Sequence, residues 1–558
     1  MNPALRKDLS NLLLLLCFAA VMFGFRLGSF GFMDPDEPFY ALTAKEMFLR
    51  HDFSTPILFG HPQFEKPIFY YWVIYFFYGL FGVNELAARF GSALAGTLTL
   101  LITYCWARVL FKGRRIALIS AFVLASAFQF VLLSRIVLTD IFLCFFVTGA
   151  LFCFSLGYKF PIYRKAAWHG LFIFCAFGFL TKGPLGILLP FFGIISYLSA
   201  NKEGKLLKEI PWFSGLFLLS VIALPWYVLM AERHAGFLKQ FFLHENIRRF
   251  FVAEHKNFDS PLFYPGAVLL GFFPWTALVP GALYLGIKKS AQGRTTADKS
   301  CLFLFLCFFL MFAFFMFAKS KLLSYIFPVF PAVAIFTGLF IDALCRASHR
   351  PVLASVAAIF FAVIPALLAA GTAVYGAKNG IDLSLPCLGI GAVSVAAGSL
   401  LFFFILRKNY TASFFTAAAE LLIFYSLVFG WLFPAAEDIF SSKNFVKAYE
   451  AQPGVSAKDI FLGSKLYVRG SSYYAEPGHT SVIISENPKG NFYTRHPLAV
   501  YSKTEDLDAI AKDSFPVYCF TGQKELRLLR SMAARGNYAV TVLRENPRIA
   551  LSRLDSNT

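Results

Sequence analysis

Between Gly31 and Trp72 the chain reads GFMDPDEPFYALTAKEMFLRHDFSTPILFGHPQFEKPIFYYW. This stretch lies between two strongly apolar segments and concentrates the charges they lack: Asp34, Asp36, Glu37, Lys45, Glu46, Glu65 and Lys66. A polar loop of about forty residues is more than a connection needs, and long ordered loops are usually functional. Asp34, Asp36 and Glu37 precede a helical pattern (Phe39, Leu42, Met47) that reads as a helix lying along a membrane surface, where carboxylates ordinarily act as caps and dipole partners. At the far end Phe64-Glu65-Lys66-Pro67 enters the aromatic run Phe69-Tyr70-Tyr71-Trp72, a composition suited to a membrane interface. Adjacent Glu65 and Lys66 are either a solvated pair or the parts of a phosphate-lipid site. Such a site needs a cation for the phosphate and a carboxylate to orient it or hold a divalent ion.

Three further groups carry charge beside apolar sequence. Asp140 stands in SRIVLTDIFLCFF, and an ionisable group at a membrane edge is costly and a functional candidate, with Arg135 as its nearby partner. The stretch 231–262 packs His244, Glu245, Arg248, Arg249, Glu254 and His255 between phenylalanines, which an interfacial amphipathic helix explains without chemistry. His244 and Arg249 are spaced so that both could face Glu65 and Lys66. Lys319 and Lys321, in AKSKLLSYIFPVFP, fall on a side where topology disfavours lysine, which points to an anion.

The elements that position these residues are apolar. Of the 558 residues 58% are hydrophobic, 15% are charged and 70 are Phe, a polytopic membrane composition. Windows of about 20 apolar residues place spans near 11–30, 86–107, 116–134, 138–157, 166–180, 183–200, 211–230, 263–287, 300–318, 322–344, 351–374, 385–406 and 412–434, about thirteen in all. The first follows Arg6 and Lys7, has no small-residue cleavage site and reads as a retained helix. Basic loops alternate along the chain and put the N-terminus on the cytoplasmic side. The net charge of +19 therefore belongs to topology and anionic headgroups, and no nucleic-acid partner is expected. All cysteines but Cys519 lie in or beside apolar runs, with no CxxC pair, so neither a disulfide framework nor a cysteine metal site is expected. Residues 1–434 read as one transmembrane domain with loops 31–72 and 231–262 on the non-cytoplasmic face. Residues 435–558 read as a small α/β domain on that same face, with strand-like runs DIFLG, LYVRG, TSVII, LAVYS, PVYCF and YAVTVL and helices at 505–513 and 523–535.

DPDEPFYA, HPQFEKPIFYYW and FGVNELAARF together resemble the bacterial 4-amino-4-deoxy-L-arabinose–lipid A transferases. Those belong to the wider class of polyprenyl-phosphate-sugar-dependent GT-C glycosyltransferases, which includes protein O-mannosyltransferases. RIVLTD, FFLHENIRRF and SKLLSYIFP fit the same family in order, over roughly residues 10–345. The resemblance implies an all-α GT-C membrane fold in the bacterial inner membrane, with a periplasmic C-terminal domain. It implies an undecaprenyl-phosphate-linked sugar donor and lipid A, or another periplasmic-face acceptor, as substrates. By the same resemblance Asp36 and its neighbour Glu37 are catalytic or acceptor-positioning carboxylates, and Asp140 a second functional carboxylate. Lys66 and Arg249 hold the carrier phosphate, with Tyr325 and Lys321 beside them. Glu65 and His244 stand where the family places ligands for a divalent metal, zinc or magnesium; no organic cofactor is expected. The chain departs from the family pattern DEARYA at Phe39, which replaces the Arg, and at Gln63, where Tyr is common.

Two other classes fit the composition. A lipid flippase or sugar transporter would show internal repeats and midplane helix breaks, whereas the ionisable residues here gather at one face. A non-catalytic sensor would bind a lipid-linked sugar without turnover. A transferase using another sugar, or a protein or glycan hydroxyl, is the alternative within the class.

Overall fold

The computed structural model describes residues 3–252, 260–346, 351–486, 498–511 and 516–556. Glu254 and His255 lie outside the described residues. Among those described, nine helices are long and apolar enough to cross a bilayer, from Leu5–Gly24 and Glu85–Phe111 to Tyr410–Ala435. At 1.5 Å rise per residue, about 20 residues span the hydrocarbon core.

The expected span 263–287 is instead a broken pair, Phe263–Gly271 and Trp275–Gln292, bent by 119°. Pro274 stands in the break, and its missing N–H cannot continue the helical ladder. Counting this pair gives up to ten spans. The expected span 116–134 also divides, into Arg114–Ser126 and Phe128–Leu133, because Ala127 is extended (φ −66°, ψ 128°). That first piece has 13 residues, and Leu185–Ala200 has 16, so neither crosses by length alone. Length and composition thus fall short of the thirteen spans read from the sequence.

The 31–72 stretch folds as a helix, Asp36–Leu49, and a two-stranded hairpin, Ile57–Leu58 with His61–Pro62, before the aromatic helix Phe69–Phe81 begins. The first helix does not lie on a surface. Glu37 through Ala44 are all buried, because the aromatic helix packs on it and a helix of the C-terminal region, Val468–Tyr474, covers it. LYVRG, strand-like in sequence, forms the start of that covering helix. Gly470 permits the close approach: a Cβ there would collide with the Asp34 carboxylate and the Ser442 hydroxyl.

The rest of the C-terminal region is a six-stranded sheet in the order Val500–Tyr501, Thr480–Ile484, Ile460–Gly463, Val517–Gly522, Ile549–Ser556, Tyr538–Glu545. The first four strands are parallel and the last two antiparallel. Val517–Gly522 is buried along its whole length, and its side chains alternate between two cores. Val517 and Cys519 join Leu529 and Met532, while Tyr518 and Phe520 join Phe445 and Tyr449 on the opposite face.

Candidate active site

The loop helix is fixed at its N-terminus by a buried ion pair. Arg89 donates from Nε to Glu37 Oε1 at 2.9 Å and from Nη2 to Oε2 at 2.7 Å. Its remaining donors reach the carbonyls of Leu27, Phe30 and Gly31 at 3.2, 2.8 and 2.9 Å. The Glu37 carboxylate also accepts the N–H groups of Met33 at 2.9 Å and Val137 at 2.8 Å. Arg89 and Glu37 are 0% and 1% exposed, so no substrate atom reaches either. The catalytic part expected of Glu37 is corrected accordingly: it is a strut that ties the loop to the span Glu85–Phe111 and to the turn before Asp140.

Asp36, one residue earlier, is exposed. Protein crowds around it, and desolvation pushes its pKa above the usual carboxylate range; Arg469 opposes this while Asp140 and Glu37 add to it. An Asp36 that acts as a carboxylate is lost from the reaction as pH falls through that raised pKa. Asp36→Asn is expected to lower kcat about 10²-fold or more and to erase the acidic limb of the pH–rate profile. An unchanged limb in the variant assigns it to another group.

Asp140 is paired, but not with Arg135. Arg135 donates to the carbonyls of Met22 at 2.9 Å and Phe25 at 2.6 Å and stacks on Phe429. The partner of Asp140 is Lys182, 2.5 Å away in a buried pair, whose ammonium also lies 4.4 Å from the centre of the Tyr325 ring. Lys182 is the last residue of the helix Arg164–Lys182, and the turn Gly183-Pro184 leads from it into the next apolar helix, Leu185–Ala200. Its signal in the sequence is the one that marks Lys319 and Lys321, a lysine where the alternation of basic loops expects none, but it sits at the boundary of two apolar runs.

A cavity of about 270 Å³ gathers Glu65, Lys66, Lys182, Glu245, Arg249 and Tyr325. Its other wall is apolar, with Leu185, Leu188, Phe250, Phe251 and Phe314. Lys66 is half-buried by area because it faces the cavity, yet protein surrounds it. Desolvation, then the Arg249 charge, lowers its pKa, while Glu65 and Glu245 support the ammonium. Desolvation raises the pKa of Glu65, and its Oε1 is buried without a hydrogen-bond partner. Arg249 reaches the cavity from 231–262, paired with Glu245 four residues earlier. Lys321 is buried beside the cavity and absent from its lining; the turn contributes Ser320 and Tyr325 instead. A larger cavity, about 700 Å³, lies among the helices near Arg115 and Lys408, and its lining includes no carboxylate.

The two metal donors lie apart in function. His244 Nδ1 meets Glu245 Oε1 at 3.0 Å, and Glu245 is itself engaged by Arg249. Among the described residues no three of His, Cys, Asp and Glu are grouped to hold a metal ion. A zinc site built by protein takes three or four such ligands, and Glu65 with His244 does not complete one.

Arg469 was invisible from sequence. It belongs to the covering helix Val468–Tyr474, is 7% exposed, and its guanidinium stands 4.9 Å from the centre of the Phe39 ring. Its charge acts on Glu65, Asp36, Tyr40 and Tyr71. The departure at Phe39 thus coincides with a guanidinium delivered from another part of the chain.

The family described as dolichyl-phosphate-mannose-protein mannosyltransferase matches residues 65–228. The undecaprenyl phosphate-alpha-4-amino-4-deoxy-L-arabinose arabinosyl transferase 1 of Proteus mirabilis is 30% identical over 431 residues, 74% of each chain. The chain belongs to this arabinosyl transferase family. The transferase of the same name from Pectobacterium carotovorum is 33% identical over 319 residues, 56% of this chain, and the chain spans 56% of that relative's length. The crystal structure of ArnT from Cupriavidus metallidurans bound to undecaprenyl phosphate superposes with a TM-score of 0.75 at 21% identity, covering 97% of both chains. The arabinosyl transferase fold therefore extends over the transmembrane helices and the C-terminal sheet together.

Proposed function

We propose that this member of the arabinosyl transferase family moves 4-amino-4-deoxy-L-arabinose from undecaprenyl phosphate to lipid A at the periplasmic face of the inner membrane. The observation that carries the reading is the cavity that sets Lys66, Lys182 and Arg249 against aromatic and aliphatic walls. Cations suit a phosphate and the apolar wall suits an isoprenoid chain. The alternation of basic loops supports thirteen crossings, with the C-terminal domain periplasmic.

In the reaction the bond from the sugar's anomeric carbon to the carrier phosphate oxygen breaks, and a bond to an acceptor oxygen forms. The leaving polyprenyl phosphate gathers negative charge where water is scarce. Lys66, Lys182 and Arg249 are already in place to stabilise it, with little reorganisation. Asp140 holds Lys182 in position over Tyr325. A lipid A phosphate reaches the site ionised and needs no base, so Asp36 positions the acceptor. A hydroxyl acceptor would need Asp36 to take its proton. Glu65 and His244 fall short of a complete metal site, and the mechanism is derived from side chains alone.

A second reading rests on the mannosyltransferase match over residues 65–228: the same transfer to a protein hydroxyl. Mass spectrometry of lipid A from cells with and without the intact chain separates the two. Loss of one pentosamine increment from a lipid A phosphate on deletion is the expected result. Unaltered lipid A, with a hexose lost from proteins, would install the second reading.

A further inference from the structure

The cavity of about 700 Å³ among the helices has a floor of aromatic rings and a mouth of cations. The Phe122 ring stands 4.8 Å from Phe414 and 5.8 Å from Trp275, centre to centre, and Trp275 stands 5.1 Å from Phe361. The one polar group of these rings, the indole N–H of Trp275, donates to the Ser126 hydroxyl at 3.0 Å. A space walled in this way offers water no partners and suits hydrocarbon. Leu14, Leu406 and Phe415 belong to the same lining and are 49%, 55% and 61% exposed. The cavity therefore opens through the apolar flank of the helices.

At the mouth Arg115 and Lys408 are both exposed, with Tyr410 and Thr411 beside them. Arg115 and Arg346 share the Asp342 carboxylate, at 3.4 and 2.9 Å. That one carboxylate balances only one of the two guanidiniums, and Lys408 has no acidic partner among the described residues. Positive charge is thus left over at one end of an apolar slot. This end is far from the loop helix. In the span Glu85–Phe111, Arg89 bonds to Glu37, while Phe111 leads into the helix Arg114–Ser126 that carries Arg115. At 1.5 Å per residue Arg89 and Phe111 are about 33 Å apart, roughly the thickness of a bilayer core. The mouth therefore meets the leaflet opposite the active-site loops, out of reach of the transfer. The alternation of basic loops reads that face as cytoplasmic, where the leaflet is anionic.

We propose that this cavity binds one anionic phospholipid of that leaflet, with its phosphate between Arg115 and Lys408 and an acyl chain over Phe122, Trp275, Phe361 and Phe414. Basic pockets between membrane helices on the cytoplasmic side hold headgroups of this kind. The floor is also where the two helix breaks meet. The Phe128 N–H donates to the Phe273 carbonyl at 2.9 Å, which joins the break after Ser126 to the break before Trp275. A bound chain packs on the two places where the helical ladder is interrupted.

The test uses native mass spectrometry of the full-length chain in detergent, with phosphatidylglycerol and phosphatidylcholine of the same acyl chains as probes. Wild-type protein is expected to retain one phosphatidylglycerol at least about tenfold more tightly than phosphatidylcholine, as two basic residues at a membrane surface provide. The double variant Arg115→Gln with Lys408→Gln is expected to lose that preference. It should fold, because Asp342 keeps Arg346, and unaltered binding of undecaprenyl phosphate checks this. Ala417→Phe, at a lining residue that is 5% exposed, fills the slot without touching a charge and is expected to lose the bound phosphatidylglycerol. Equal retention of the two lipids by wild-type protein would mean boundary lipid only, and the proposal fails. A preference that survives in the double variant puts the headgroup elsewhere and overturns the site. Displacement of phosphatidylglycerol by undecaprenyl phosphate would make the cavity a second carrier site and overturn the phospholipid assignment.

Discussion

Lys66→Ala is expected to lower kcat by about 10²- to 10³-fold, the loss typical of removing one preorganised group that stabilises transition-state charge. The reason lies in where the ammonium sits. It faces the cavity with Arg249 and Lys182, and desolvation raises the pKa of the neighbouring Glu65. Arg249 and Lys182 share that lining, but each is also balanced by a carboxylate, Glu245 and Asp140, so they make up only part of the loss. The variant should fold, since it removes a charge that burial already disfavours. In the wild type the lowered Lys66 pKa has a further consequence. The ammonium is lost as pH rises through a value below the ordinary 10.4 or so of lysine, so activity declines on that alkaline limb. Lys66→Arg, which stays charged, should move the limb to higher pH while recovering part of the rate. Single-turnover kinetics with a lipid-linked donor measure both, and a Lys66→Ala rate within threefold of wild type would remove Lys66 from the mechanism.

Arg89→Ala is expected to be the most damaging single change to the fold, about 3–5 kcal/mol, because it strands the Glu37 carboxylate in a buried site. The guanidinium also satisfies three backbone carbonyls, at Leu27, Phe30 and Gly31, which lose their donors together. The double variant Arg89→Met with Glu37→Met removes the stranded charge and should be less unstable than Arg89→Ala alone. Half-lives of thermal inactivation in one detergent suit this comparison, since a multidomain membrane chain has no single unfolding free energy. An Arg89→Ala half-life equal to wild type would show that the pair holds nothing in place.

The apolar runs were legible because long windows of one polarity are local properties. Glu85–Phe111, Asp140–Lys159 and Ser384–Leu406 fall within a few residues of where composition puts them. The break before Trp275 was not legible, because a proline in an apolar run marks a kink or nothing, according to what packs on it. Lys66, Asp140, Arg249 and Tyr325 could each be singled out, since each is polar at the end of an apolar run. What sequence could not give was pairing. Asp140 has Arg135 five residues away, yet bonds to Lys182 because the chain folds that lysine back at the end of the following α-helix, Arg164–Lys182. Asp36 and Glu37 are adjacent and identical in charge, but a helix turns successive side chains by about 100°, so one meets Arg89 and the other faces outward. Arg469 lay in LYVRG, whose β-branched and aromatic residues read as a strand. Packing against the loop helix overrode that propensity.

The cavity wall includes Leu188 and Phe251, which are 40% and 69% exposed on the outside of the helices. Exposed apolar side chains of this kind suit a lipid surface, and the covering helix lies on the loop helix. For the donor proposed above, this opening predicts entry sideways, from within the leaflet. Saturation then depends on surface density, the mole fraction of lipid-linked sugar among its neighbours, and adding more protein-free membrane at constant donor dilutes the substrate as water would dilute a soluble one.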